Sequence, residues 1–439
     1  MRFYLLSLGC PKNLVESEGM RELLLAAGHQ PASEPGQADI LVVNTCGFID
    51  IAREESLEAL RELAEDKRPG QYLVAAGCMA ERYGSAMADM APALDGILGT
   101  RRWTDINTLV AALTADDKRD VPCQLPQPDP ERTPVHPLPR RCPGLATAYV
   151  KIAEGCDAPC AFCAIPQIKG PFRSKPREAV LSEVHELVRQ GVKEIIFIAQ
   201  DTTAYGMDWG DDNALPALIE SILADVPSLP WLRLMYTYPQ RITPRLAETM
   251  ASHSQVLHYL DLPLQHAHPS VLRRMNRPHE VSRIRSVIAD LRQLMPDIAL
   301  RTSFIVGYPG ETEQEFQTLL DFMSEIAFER VGIFAYSPEE GTRAALLPGQ
   351  TPDDVKRQRY ERAMALQQGI SLEKNKQLIG QRLEILIEGA GDGISVGRSY
   401  RDAPEVDGMV VVQEELPVNE FASVHITEAL EYDLVGRPE

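Results

Sequence analysis

The sequence predicts an α/β protein in three parts: an amino-terminal open parallel α/β domain over residues 1–113, a partial (β/α)6 barrel with a trailing helix over 142–378, and a small carboxy-terminal β-barrel over 379–439, with a Pro-rich linker at 114–141. Strand-like and helix-like runs alternate through 1–113 and again from 148 to about 340, as parallel βα units do. Pro126, Pro128, Pro130, Pro137 and Pro139 stand between the two alternating regions. Proline fixes φ and removes a donor, so the chain there is extended and semi-rigid. Beyond 378 short apolar runs of strand length replace the helical period, which suits a closed β module of the oligonucleotide-binding kind. At 439 residues the chain exceeds one ordinary core.

In the first region 2–8, 39–44, 71–76 and 94–98 read as strands, with helices at 14–27, 49–63 and 80–90. The first three strands each run into a cysteine with a glycine beside it: Cys10 after Gly9, Cys46 before Gly47, Cys78 after Gly77. Carboxyl ends of parallel strands share one edge of the sheet, where ligands bind. Three thiols far apart in sequence therefore meet in space, and the glycines let backbone turn tightly round a bulky group. Buried thiols packing strand ends are the plain alternative.

In the second region strands fall at 148–153, 194–199, 231–237, 257–262, 300–306 and 330–336, with helices such as 178–190 and 313–326 between them. Right-handed crossovers curl such a series toward a barrel whose carboxyl-end loops carry the chemistry. The loop after its first strand holds Cys156, Cys160 and Cys163, spaced C-x3-C-x2-C. Thiolates are soft ligands for iron-sulfur clusters, zinc or copper(I). Zinc favours four ligands in paired knuckles. Three cysteines instead hold three irons of a cubane and leave the fourth open to an α-amino carboxylate chelator. Cys123 and Cys142 lie in no ligand-like spacing.

Later loops add polar groups. Residues 200–206 offer Gln200, Asp201, Thr202 and Thr203, or cap the next helix. Gln265 follows the fourth strand, beside His266 and His268, which read as scaffold before metal ligands. Arg301 points into or out of the barrel, and the turn from Gly307 to Glu311 opens a helix with Glu311 near its positive end. The basic run 168–177 is a ligand site or a solvated face. A long helix over 352–378 leads to the terminal strands 383–387, 394–397, 409–412 and 422–426.

Charge limits the partners. The net charge of −19 opposes general nucleic-acid binding, and from 380 onward there are four basic against thirteen acidic residues. A basic protein is the better partner, and Asp402, Glu405 and Asp407 are candidate docking acids. With no run of eighteen apolar residues and too short an apolar start for a secretory signal, a cytoplasmic protein with no membrane contact is expected; its eight cysteines then suit metal rather than disulfides.

The C-x3-C-x2-C loop with aromatic Phe162 resembles the radical S-adenosylmethionine superfamily. Together with the sequence from Gly9 to Glu18, that from Lys151 to Asp157 and that from Ala403 to Gly408, the chain resembles the methylthiotransferases over nearly its whole length, with a terminal module of TRAM type. Glu16 stands where Asp is more usual, and Ala158 replaces a commonly polar residue. The resemblance implies two [4Fe-4S] clusters, one on Cys156, Cys160 and Cys163 that binds and cleaves S-adenosylmethionine, and an auxiliary one on Cys10, Cys46 and Cys78 that holds the sulfur. It implies a cofactor pocket of Phe162, Gln200, Gln265, Arg301, Gly307 and Glu311, an electron-donor protein, and methylthio transfer to the β-carbon of an aspartate in small-subunit ribosomal protein S-twelve. A tRNA adenosine methylthiotransferase would share both cysteine sets but asks for a basic terminal module. A non-catalytic iron-sulfur carrier would not need the turn at Gly307.

Overall fold

The computed structural model describes residues 1–115, 123–124, 140 and 144–439. The rest of the proline-rich stretch, with Cys142 and the side chain of Cys123, lies outside the described residues.

Beginning at the amino terminus, Arg2–Ser7, Ile40–Thr45, Tyr72–Gly77 and Gly96–Gly99 form adjacent parallel strands, edged by Gln30–Pro31 and Cys123–Gln124. Ile40–Thr45 is buried along its full length, as a strand covered on both faces must be. The predicted helix over 80–90 is two pieces, Cys78–Tyr83 and Met87–Met90, because Gly84 takes φ 51° between them.

The central sheet has six parallel strands in chain order: Thr147–Lys151, Glu194–Ile198, Trp231–Leu234, Val256–Asp261, Ala299–Val306 and Arg330–Ala335. Each is followed by helical structure that packs on its outer face. Alternation divides the strands cleanly: Ile195, Phe197, Leu260, Leu300 and Phe304 join the core under the helices, while Ile196, Ile198, Tyr259 and Ala299 form the concave face. That concave core continues into Val15 of the first domain and into Leu386 and Ala403 of the last, so three parts share one interior. The third strand ends earlier than its apolar pattern suggests, because Tyr236 adopts φ 59° and turns the backbone out.

The helix Asp353–Lys376 crosses the last central strand and delivers the chain to a closed five-stranded barrel, Arg382–Gly391, Ile394–Arg398, Val410–Val412, Phe421–Ala429 and Leu434–Pro438. Its fifth strand carries Gly436 and Pro438 and gave no strand signal in the sequence. Its docking onto the central sheet is ionic at depth. Glu194 accepts from Arg233 Nε at 2.7 Å and Arg398 Nη2 at 2.6 Å, and Arg330 Nη2 reaches Asp402 Oδ1 at 2.6 Å. Asp407 accepts from Tyr259 Oη at 2.6 Å and lies 3.4 Å from Arg301 Nε. This corrects the reading of the acidic loop: Asp402 and Asp407 are buried anchors of the terminal barrel, not acids presented to a partner. Among the described residues no helix is long and apolar enough to cross a membrane.

Candidate iron-sulfur and cofactor site

The carboxyl ends of the two parallel sheets face each other across a cavity of about 330 Å³, and its wall includes Cys10, Cys46, Cys78, Cys156, Cys160 and Cys163. Three loops of the first domain are drawn together by close packing at glycine. A Cβ on Gly9, at φ 89°, would lie 2.8 Å from Cys46 Cβ, and one on Gly47 would lie 2.7 Å from Met79 Cα. Gly77, at φ 93°, leaves room only for Asn44 Oδ1 and for Thr45 O, 2.6 Å from where its Cβ would be. Asn13 ties the same loops, donating from Nδ2 to Leu8 O at 3.0 Å and Thr45 O at 3.1 Å and accepting from the Cys78 thiol at 3.4 Å. Gly77→Ala is therefore expected to destabilise the domain by about 1–3 kcal/mol and to lower iron uptake, read by thermal unfolding and iron assay on one sample.

The second cysteine loop is pinned from outside. Cys156 N–H donates to Gly170 O at 3.1 Å, Ala161 N–H to Met275 O at 2.8 Å, and Asn276 Nδ2 to Pro159 O at 2.8 Å. Two donors aim at its sulfurs: Ala158 N–H at 3.4 Å from Cys156 Sγ and Arg277 Nη1 at 3.7 Å from Cys160 Sγ. Burial pushes Cys46 and Cys156 upward and raises Cys78 and Cys163 to about 12. Metal binding at these thiols must release protons.

Between the domains a buried polar bridge closes the cavity floor. Glu16 Oε1 accepts from Lys169 Nζ at 2.5 Å and Lys151 Nζ at 2.9 Å, while Thr100 donates to its Oε2 at 2.7 Å. Burial opposes the charge on Lys169, yet Cys78, Glu154 and Glu16 hold its pKa well above the usual lysine range. Across the rim Arg82 Nη1 donates to Gly47 O at 2.7 Å and lies 3.1 Å from Glu339 Oε2. The basic run thus serves neither alternative as a whole: Lys169 is a buried cross-domain link, and Lys175 pairs with Glu183.

Of the other predicted site residues, Phe162, Gln200 and Gln265 line the cavity. Gln265 holds φ 72°, its N–H on Ser303 O at 2.8 Å. Strain of this kind gathers where a side chain must be aimed. Arg301, Gly307 and Glu311 are not on the cavity wall. Arg301 faces the concave side but is held by Asp261 at 2.8 Å and by Asp407. Glu311 is fully engaged, with the N–H groups of Gly307 and Tyr308, with His266 Nε2 at 3.3 Å and with Arg359 Nη1 at 3.2 Å. Gly307, at φ 71°, is required by Lys356, whose Cβ lies 3.1 Å from where a glycine Cβ would be. His266 and His268 are scaffold: His266 Nδ1 accepts from His268 N–H at 2.9 Å, and His268 caps a helix. Lys12, Tyr236, Tyr238 and Arg277 also line the cavity and were assigned no role from the sequence. The Tyr236-Thr237-Tyr238-Pro239 stretch at the end of the third central strand was the signal for two of them.

The residues fit an iron-sulfur cluster and a polar cofactor. Among the described residues no three His, Cys, Asp or Glu side chains approach closely enough to hold a single ion, whereas a cubane spreads its thiolates over separate irons. Among the described residues the buried Gln200 amide has no hydrogen-bond partner at Oε1 or Nε2, and a buried amide left so costs several kcal/mol unless a ligand satisfies it.

The fold and the three-cysteine loop define a radical S-adenosylmethionine enzyme. Residues 2–99 match the family described as Uncharacterized protein family UPF0004, 150–323 the Radical SAM superfamily, and 379–438 the TRAM domain. The solved structure of the radical S-adenosylmethionine methyltransferase TsrM from Kitasatospora setae is similar in fold, with TM-score 0.57 and 13% identity over 92% of this chain and 80% of that one. A protein of Roseiflexus sp. (strain RS-1) named ribosomal protein uS12 methylthiotransferase RimO is 49% identical over 99% of this chain and 97% of its own. One of the same name from Chloroflexus aurantiacus is 47% identical over 99% of both chains. The chain belongs to the RimO family of ribosomal protein uS12 methylthiotransferases.

Proposed function

We propose that this enzyme adds a methylthio group to the β-carbon of an aspartate in uS12, the S-twelve protein of the small ribosomal subunit. Cys156, Cys160 and Cys163 would hold the cluster that binds S-adenosylmethionine, and Cys10, Cys46 and Cys78 an auxiliary cluster. The observation that carries the reading is that all six cysteines, from two domains, face one cavity. When bound, these groups supply reductive cleavage of S-adenosylmethionine and sulfur for transfer, chemistry that an unactivated C–H bond requires because no side-chain base removes such a proton.

The chain's own residues shape the place where this happens. Gln200 offers its free amide to the polar groups of the cofactor, and Gln265 is aimed across the same space. Arg277, stacked 4.3 Å from the Tyr238 ring centroid, donates to Cys160 Sγ and so orients that side of the loop. The Glu16–Lys169 bridge and the tyrosines at 236 and 238 exclude water. Arg301, Gly307 and Glu311, expected in the cofactor pocket, support its wall from behind.

Protein rather than tRNA is the substrate favoured by the terminal barrel. Of its arginines Arg398 is buried against Glu194 and Glu388, and Arg382 pairs with Glu439 at 2.5 Å. An anaerobic assay of the iron-reconstituted protein with S-adenosylmethionine, a reductant and either uS12 or tRNA, read by mass spectrometry, tests this. The expected result is a methylthio mass increase on one aspartate of uS12. Transfer to tRNA, or iron binding with no deoxyadenosine formed, would overturn it.

A further inference from the structure

Among the described residues four charged side chains line the cavity: Lys12, Lys169, Asp201 and Arg277. Three of them are committed. Lys169 is bonded to Glu16 and Thr100, Asp201 to Arg241 and Thr203, and Arg277 to Cys160 and the Pro263 carbonyl. Lys12 differs. Its residue is 8% exposed, and its ammonium makes no hydrogen bond and no ion pair among the described residues. It lies over the face of Tyr236, 3.0 Å from the ring centroid.

The position is informative. Lys12 is two residues past Cys10 on the first turn of the helix Pro11–Ala26, and Tyr236 comes from the opposite sheet, so the ammonium stands where the two cysteine sets face each other. Tyr236 is itself held at φ 59°, its N–H donating to Asp261 Oδ2 at 3.1 Å, so the ring under the ammonium is fixed by strained backbone. Cys10, Asp261 and Glu154 act on this ammonium only through space, none within ion-pair distance, so a cation kept out of water on an aromatic face still has its hydrogen-bond donors free for an anionic ligand.

Resting on the proposed function, we infer that Lys12 binds the side-chain carboxylate of the substrate aspartate and so selects aspartate over asparagine. The target β-carbon is one bond from that carboxylate. Anchoring the carboxylate on Lys12 places the carbon between the two cysteine sets. The carboxylate must also leave water to enter a mostly apolar cavity, and a charge-assisted hydrogen bond to an ammonium offsets that loss.

The test compares iron-reconstituted wild type with Lys12→Met and Lys12→Arg, using uS12 and uS12 carrying asparagine at the target aspartate. Calorimetric binding is measured first, without reductant, so that it does not depend on turnover. Wild type is expected to bind the aspartate form about tenfold or more tighter than the asparagine form, Lys12→Met to erase that difference, and Lys12→Arg to keep most of it. Methylthio transfer by Lys12→Met should fall about a hundredfold on the aspartate form. Equal weakening of both forms, or a preference that survives Lys12→Met, would overturn the inference, since a merely structural lysine does not distinguish the two substrates. Iron content is read on every sample, and where Lys12→Met takes up no iron Lys12→Gln, neutral and of similar length, carries the comparison. Absence of methylthio transfer by wild type would count against the proposed function alone, because the binding difference stands apart from it.

Discussion

Cys46→Ala is expected to lose half of the bound iron and all methylthio transfer, with cleavage of S-adenosylmethionine reduced far less than in Cys160→Ala. The reason is where the thiols come from. Cys46 sits beneath Gly9 and beside Gly47, in the knot of loops that closes the first sheet, and two thiols of that knot cannot hold what three do. Cys160 lies on the other wall, with Arg277 on its sulfur and Phe162 two residues on. Its loss should remove the other half of the iron and end both cleavage and transfer. Iron assay, deoxyadenosine release and product mass on the two variants make a complete comparison. Full iron content in Cys46→Ala would sink the assignment of the amino-terminal triad.

Glu194→Ala is expected to destabilise the protein by about 3–5 kcal/mol, the cost of leaving buried cations without their partner. Glu194 and Arg233 are completely buried, and Arg398 brings the terminal barrel onto the same carboxylate. Burial works to raise the Glu194 carboxyl, but Arg233 and Arg398 prevail and hold it at about 2. The sign follows from that direction: a depressed carboxyl stabilises the fold above its ordinary value near 4.5, and the contribution is lost as pH falls toward about 2. Denaturant midpoints for wild type should therefore approach those of Glu194→Gln as pH falls through that range, and separate from them above it. Equal midpoints at neutral pH would show that the terminal barrel docks without this carboxylate.

Much of the fold was legible because the strands announce themselves. The apolar runs at 40–45, 194–198 and 299–306 read as strands, and in the first domain the cysteine at the end of each of the first three strands marked which edge mattered. The limits were also physical. A positive φ at Tyr236 or Gln265 leaves no mark in composition, so the apolar pattern carries the third central strand to 237 although it ends at Leu234, and it does not distinguish Tyr236 and Tyr238 as cavity residues. Acidity alone could not separate surface from interior: Asp402 and Asp407 sit in a run that looks solvated, but the arginines they neutralise lie some seventy to one hundred residues earlier, on the central sheet. Arg301, Gly307 and Glu311 show the same limit, since sequence order places a residue at a strand end but does not say which partners its side chain meets there.

The two cysteine sets also differ in when they can exist. Cys156, Cys160 and Cys163 belong to one short loop, so a growing chain carries all three thiols in reach of each other as soon as that loop is made. Cys10, Cys46 and Cys78 come together only after three strands have paired and the intervening helices have packed, because the convergence depends on Gly9, Gly47 and Gly77 meeting their neighbours. Loop closure over such distances is the slow part of folding an open parallel sheet. On the proposed assignment, the domain synthesised first would have the metal site that is completed later, and iron delivered too early would find only scattered thiols there. With the proposed auxiliary cluster, maturation becomes a problem of timing, in which the folding of the first sheet would set the earliest moment for loading it.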